Sequence, residues 1–247
     1  MNSERSGTVR VPPALRGTRA VVLDTDGVIT DSARLHAAAW KTAFDAFLSP
    51  RGERPFDPRE DYLRHVDGKS RLDGAAAFLE ARGLRPSDAE VRAVAADKER
   101  LFTERLRGGG VDAYPGTVRL LGALRSAGIP LAAASASQHA GELLEQAGVR
   151  GLFDALVDGG EAARLGLPGK PDPALFLEAT RRLGVPVEQA AVVEDALAGV
   201  EAGRRGGFGL VVGVDRARTP ATRAALLKHG ADLVVDDLAE LLTRKED

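Results

Sequence analysis

The sequence contains no cysteine. That excludes a disulfide scaffold, a thiolate metal site and a cysteine nucleophile, and it fits a cytoplasmic setting. Aromatic residues make up only 4% of the chain. That is too few for a base-stacking platform on single-stranded nucleic acid or for a carbohydrate-binding module. Neither sign of charge dominates: 34 Lys and Arg face 36 Asp and Glu, for a net charge of −2. A balanced chain has no global field to hold nucleic acid or an anionic membrane. No apolar run reaches the roughly 18 residues a membrane-spanning helix needs. The N-terminus mixes Ser, Arg, Pro and Glu and lacks the apolar stretch of about 7–15 residues of a signal peptide. No nucleic-acid or membrane partner is therefore expected, and the chain is expected to be a monomer.

Hydrophobic residues reach 44% of 247, enough for a full core, and the length allows one large domain or two smaller ones. Short apolar runs at 19–24, 129–135, 155–158, 191–195, 208–214 and 232–235 read as buried strands, the last at an edge. Helical patterns lie between them, at 117–127 (with Val118, Leu121 and Leu124 on one face), 173–183 and 196–205. Strands alternating with helices predict an α/β fold with a doubly wound parallel sheet. The interval from Ser32 to about Gly110 breaks the alternation. It shows no strand, only helical patterns at 33–47, 70–82 and 87–106. The expected organisation is a lead-in at 1–16, a core domain at 17–31 and 111–247, and an inserted all-helical domain at 32–110. The lead-in is expected to be mobile and 243–247 frayed. Gly203 to Gly209 follow a helix and precede a strand, the reverse of a dinucleotide loop, and read as a helix stop. The arginines of the tail read as solvated.

In a doubly wound sheet, ligands bind beyond the carboxyl ends of the strands. Asp24-Thr25-Asp26-Gly27-Val28-Ile29-Thr30 follows the first run, Ser135-Ala136-Ser137 the second and Glu194-Asp195 the fourth, while Gly169-Lys170-Pro171 precedes a later helix. Four carboxylates, a lysine and a hydroxyl at one edge suit phosphoryl transfer. A carboxylate can attack phosphorus and form an aspartyl-phosphate. Mg2+ takes oxygen ligands, often one or two carboxylates plus the substrate phosphate. A lysine and a serine offset the remaining phosphate charge. A second carboxylic acid two residues on can protonate the leaving oxygen and then activate the acceptor.

These motifs, in this order from about Arg19 onward, resemble the haloacid-dehalogenase superfamily. The resemblance implies a Rossmann-like core carrying a mobile helical cap. It implies that Asp24 is the nucleophile and Asp26 the general acid/base. Ser135, Ala136 and Lys170 would bind the transferring phosphate, with Ser137 on the substrate side. Mg2+ would be held by Asp24, the Asp26 carbonyl, Glu194 and Asp195. The run from Asp26 to Lys41 is further similar to the β-phosphoglucomutase-like subgroup. That implies a hinge at Thr30, substrate-side roles for His36 and Lys98, and a grip on a second phosphate by Arg71 of Gly68-Lys69-Ser70-Arg71. Trp40 shares a helix face with His36 and reads as packing more than ligand contact.

The sequence departs from the subgroup where Gln138-His139 replaces Lys-Asn and Gly74 replaces a serine, both near the second-phosphate site. The departures tilt the expectation narrowly toward a phosphatase of a small phosphosugar, with a β-phosphoglucomutase-type isomerase as the alternative. A receiver-like signalling module or an inert phosphate-binding scaffold is the remote third reading. It lacks a use for the long insertion and for the full set of Asp, Ser and Lys residues.

Overall fold

The computed structural model describes residues 11–243. Its centre is a parallel sheet of six strands, β1 Ala20–Leu23, β2 Leu131–Ala134, β3 Ala155–Val157, β4 Ala190–Glu194, β5 Leu210–Val214 and β6 Leu233–Val235. The strand order is β3-β2-β1-β4-β5-β6. In such a sheet the topology reverses between β1 and β4, and ligands lie beyond the strand ends at that crevice. The strands are apolar on both faces because both faces are covered. Along β1, Val21 and Leu23 enter one core and Ala20 and Val22 the other, and β2 and β4 alternate in the same way. The expected parallel α/β architecture is observed, with β6 at an edge.

The intervening helices cover the sheet: α4 Pro115–Ser126, α5 Ala140–Gln146, α6 Gly159–Leu165, α7 Ala174–Leu183, α8 Leu197–Arg205 and α9 Pro220–His229. In α4 the buried face is Thr117, Leu120, Leu121 and Leu124, while Val118 is exposed. The expected stripe through Val118 is thus shifted by part of a turn. Gly206 caps α8, as the helix-stop reading of the glycine run requires.

Between β1 and α4 lie α1 Ala33–Leu48, α2 Arg71–Ala81 and α3 Asp88–Gly108, with a single wide turn at Tyr62–Val66. They enclose their own core of Trp40, Phe44, Phe56, Phe78 and neighbours. Ser87 and Glu90 close a capping box at the start of α3. The two chain crossings into the insertion run side by side. Thr30 bridges both Asp26 and Ala113, the Asp31 N–H donates to the Asp112 carbonyl, and the Tyr114 N–H donates to the Ile29 carbonyl.

Two expectations at the chain ends change. Residues 1–10 of the lead-in lie outside the described residues, but Pro13–Leu15 forms a helical turn and Leu15 is fully buried in the sheet core. Val11 and Ala14 pack beside Leu15, so the described part of this segment lies against the sheet core. Of the tail expected to fray, 244–247 lie outside the described residues. The tail arginines are not all solvated: Arg216 and Arg223 donate to backbone carbonyls.

Candidate active site

Asp24 follows β1 directly, so its buried carboxylate sits at the crevice where the sheet topology reverses. Lys170, from the segment before α7, places Nζ 2.5 Å from Asp24 Oδ1 and 2.6 Å from Glu194 Oε1. Both carboxylates keep Lys170 charged: burial works against its ammonium, and their fields outweigh it. The other Glu194 oxygen accepts the Ala196 N–H at 2.6 Å, so both oxygens of Glu194 are engaged. Phe176 lies under the ammonium, 4.5 Å from ring centre to Nζ.

Asp26 is reached by three side chains. Ser32 donates to Oδ1 at 2.5 Å, His36 Nε2 lies 3.1 Å from the same oxygen, and Ser135 donates to Oδ2 at 3.2 Å. Burial opposes ionisation of Asp26, but His36 and Ser32 outweigh it and hold the group well below the usual carboxylate range. Behind His36, Lys98 Nζ lies 2.9 Å from Nδ1. An ammonium only donates, so Nδ1 accepts and Nε2 carries the proton toward Asp26. Burial and the Lys98 charge push the His36 imidazole below its ordinary value, which favours this neutral tautomer. His36 also stacks on Phe102 at 4.0 Å.

One cavity brings these groups together. Asp24, Asp26, His36, Trp40, Arg71, Lys98, Ala136, Ser137 and Asp195 all line it. Ser135 joins through its bond to Asp26, and its Oγ accepts the Ser137 N–H. Trp40 both lines the cavity and stacks on Phe44 in the core of the insertion. Thr30 does not line it. Its hydroxyl donates to the Thr25 carbonyl, and it lies on the paired crossings into the insertion. Gly27 supplies the turn after Asp26 with φ of 81°, and a Cβ there would collide with the Asp195 carboxylate. Only glycine meets both conditions.

Several lining or supporting residues carried no sequence signal. Tyr62, Asp67 and Glu99 line the cavity from the insertion, beside Lys69 of the Gly68-Lys69-Ser70-Arg71 motif. Asp67 is pushed up to about 7 by burial and by the charge of Glu194. Arg71 Nη1 pairs with Glu99 Oε2 at 2.8 Å, and His139 Nε2 meets Glu99 Oε1 at 2.6 Å. Arg216 donates to the Gly27 and Val28 carbonyls at 2.5 and 3.1 Å and stacks on Tyr114 at 3.6 Å. Ser32 alone had a local cue, as a hydroxyl one residue before α1.

Carboxylates outnumber cations here. Lys170 meets both Asp24 and Glu194, while Asp195 and Asp67 stand nearby. Burial and the neighbouring carboxylates raise Asp24 and Asp195 well above the usual range. A surplus of oxygen donors with like charge fits a hard divalent cation. Among the described residues no three acidic or histidine side chains converge into a ready cage.

Residues 18–207 match the family model described as haloacid dehalogenase-like hydrolase. The chain is 43% identical over 239 residues to a beta-phosphoglucomutase of Mycobacterium bovis, covering 91% of each protein. It is 32% identical to the beta-phosphoglucomutase of Bacillus subtilis, covering 90% of this chain and 94% of that one. Among solved structures it resembles a beta-phosphoglucomutase from Clostridium difficile with a TM-score of 0.72 and 27% identity, over 91% of this chain and 93% of the other. No helix among the described residues is long and apolar enough to cross a membrane. A parallel sheet carrying this cavity at its topological switch, together with these matches, shows that the chain is an enzyme belonging to the haloacid dehalogenase-like hydrolase family.

Proposed function

We propose that the enzyme moves a phosphoryl group within a small phosphosugar through an aspartyl-phosphate on Asp24, as a β-phosphoglucomutase-type isomerase. The observation that carries this reading is that Arg71 and Lys98 line the same cavity as Asp24 and Asp26. A transfer from one sugar oxygen to another needs a cation for the phosphate that is not reacting, and Arg71 suits that role. The likeness to beta-phosphoglucomutases over almost the whole chain supports the same choice.

Asp26 takes and returns one proton in this reading. Its donors Ser32, His36 and Ser135 favour the carboxylate. It is therefore set to accept a proton first. A sugar hydroxyl gives its proton to Asp26 while its oxygen attacks the phosphorus on Asp24, and the Asp24–phosphorus bond breaks. In the return step Asp24 attacks the other phosphate, that sugar–phosphate bond breaks, and Asp26 gives the proton to the leaving oxygen. Lys170 and Ser135 stand where they can take up phosphate charge, and Glu194 holds Lys170 in place. Mg2+ would be held by Asp24, Asp195, the Asp26 carbonyl and Glu194, the last after releasing one of its present partners. When bound, it supplies positive charge that lets an anionic carboxylate approach an anionic phosphate. The insertion at 32–110 acts as a cap whose residues exclude water.

Hydrolysis is the second reading, and Glu99 favours it. This carboxylate already occupies Arg71 and His139, which a second phosphate would need. Phosphorus NMR on β-glucose 1-phosphate with Mg2+ and a trace of the 1,6-bisphosphate separates the two. Glucose 6-phosphate is the expected product. Inorganic phosphate alone would replace isomerase with phosphatase. In Asp24→Asn either product should vanish, because an amide is a poor nucleophile.

A further inference from the structure

Glu99 sits on α3 at the junction of three elements. One oxygen pairs with Arg71 at the start of α2, and the other meets His139 just before α5. The carboxylate therefore ties the insertion to the sheet domain through two cationic or proton-donating partners at once. Burial opposes its charge, but His139, Arg71 and Lys98 outweigh this and bring it down to about 2. His139 is raised by the same bond, and Glu142 faces its other nitrogen at 3.4 Å. Lys69, Lys98 and Gln138 line the same cavity wall.

We propose that Glu99 is an internal anion, held where the substrate's non-reacting phosphate binds, and that it selects substrates by having to be displaced. The inference rests on the reading of this cavity as a phosphosugar site. A phosphate brings up to two negative charges and three acceptor oxygens, so it can satisfy Arg71 and His139 together and draw on Lys69 as well. A sugar hydroxyl is neutral and cannot exchange for a carboxylate on an arginine. A monophosphate seated at Asp24 therefore leaves the Glu99 pairs intact. A sugar with a second phosphate breaks them, and that exchange marks the substrate as carrying two anchoring groups. Glu99 thereby lowers affinity for the second phosphate in return for discrimination, the repulsive element that specificity often uses.

Binding, measured without turnover, tests this. Asp24→Asn protein with Mg2+ is titrated by calorimetry with glucose 1,6-bisphosphate and with β-glucose 1-phosphate, alone and with Glu99→Gln added. Glutamine keeps the shape and loses the charge. The expected result is that Glu99→Gln tightens the bisphosphate about threefold to tenfold, the range of a partly exposed ion pair. Monophosphate binding should stay within about twofold, which also shows that the variant is folded. Adding Arg71→Ala to the double variant should remove the gain. Bisphosphate binding that is unchanged or weakened by Glu99→Gln would overturn the role of Glu99 alone, leaving it as a residue that positions Arg71. Absence of binding of either sugar phosphate to the Asp24→Asn protein would overturn the phosphosugar reading, and this proposal with it.

Discussion

Lys98 carries an ammonium into a space where burial works against charge. It is almost fully buried, and that burial lowers it to about 8. His36 accepts from it, and Phe102 and Trp40 present their faces at 4.7 and 5.6 Å. These contacts do not restore what water supplied. The shift from 10.5 to about 8 corresponds to roughly 3 kcal/mol against the folded state while the group stays charged in both states. The folded lysine loses its proton first, so this cost shrinks and stability rises as pH climbs from about 8 to 10.5. Lys98→Met should therefore be more stable than the parent at pH 7, by about 1–3 kcal/mol in urea denaturation. The difference should narrow toward pH 10, and turnover should fall because His36 loses the donor that fixes its tautomer. A variant that is less stable at pH 7 would show that the ammonium is well compensated. The sequence could name Lys98 through its likeness to a family position, yet AADKERL reads alone as a solvated helix. Glu99, the next residue, had no motif at all, because its partners Arg71 and His139 meet it only through tertiary folding.

The loop after β1 depends on an element far away in sequence. Arg216, just past β5, binds the Gly27 and Val28 carbonyls and stacks on Tyr114 at the return from the insertion. It holds the turn that carries Asp26 and steadies the paired crossings into the insertion beside it. Arg216→Ala should lower kcat about tenfold with KM little changed, since the carboxylates shift and their partners remain. Arg216→Lys should recover little, because an ammonium has no flat face to stack on the Tyr114 ring while its donors reach both carbonyls. Steady-state kinetics on both variants checks this, and an unchanged kcat beside a lowered melting temperature would reduce Arg216 to a structural role. The strands were legible because each is an apolar run covered on both faces. The helices α1 to α4, α7 and α8 were legible, α4 and α7 from an apolar face, with the α4 stripe displaced by part of a turn. The helices α5, α6 and α9 were not read. The first two have seven residues each, too few to show a period; α6 buries none and α9 buries only Leu226, so no apolar stripe marks those two. The turn at Tyr62–Val66 is too short to show a period.

At the scale of the whole molecule, the chemistry depends on the insertion lying against the sheet domain. Gly68 marks one close approach: its φ is 72°, and a Cβ there would lie 2.8 Å from the Ala196 Cβ. Gly68→Ala should hold the two parts off each other. KM should rise severalfold, while stability falls by only about 1–2 kcal/mol from the left-handed backbone. An unchanged KM would show that closure tolerates the extra methyl. Much of the site was readable, because its residues follow strand ends in a fixed order. The counterions and braces, Glu99, Asp67 and Arg216, were not, since they arrive from elements whose packing no local pattern encodes. The proposed mechanism runs through a covalent phosphoryl group on Asp24, which can be trapped. Enzyme mixed with Mg2+ and glucose 1,6-bisphosphate is quenched in acid within milliseconds, digested and weighed by mass spectrometry. The expected result is one added phosphoryl group on the peptide containing Asp24, removed by hydroxylamine and absent in Asp24→Asn. Steady turnover with that peptide unmodified, or with the phosphoryl group on Ser135, would contradict it.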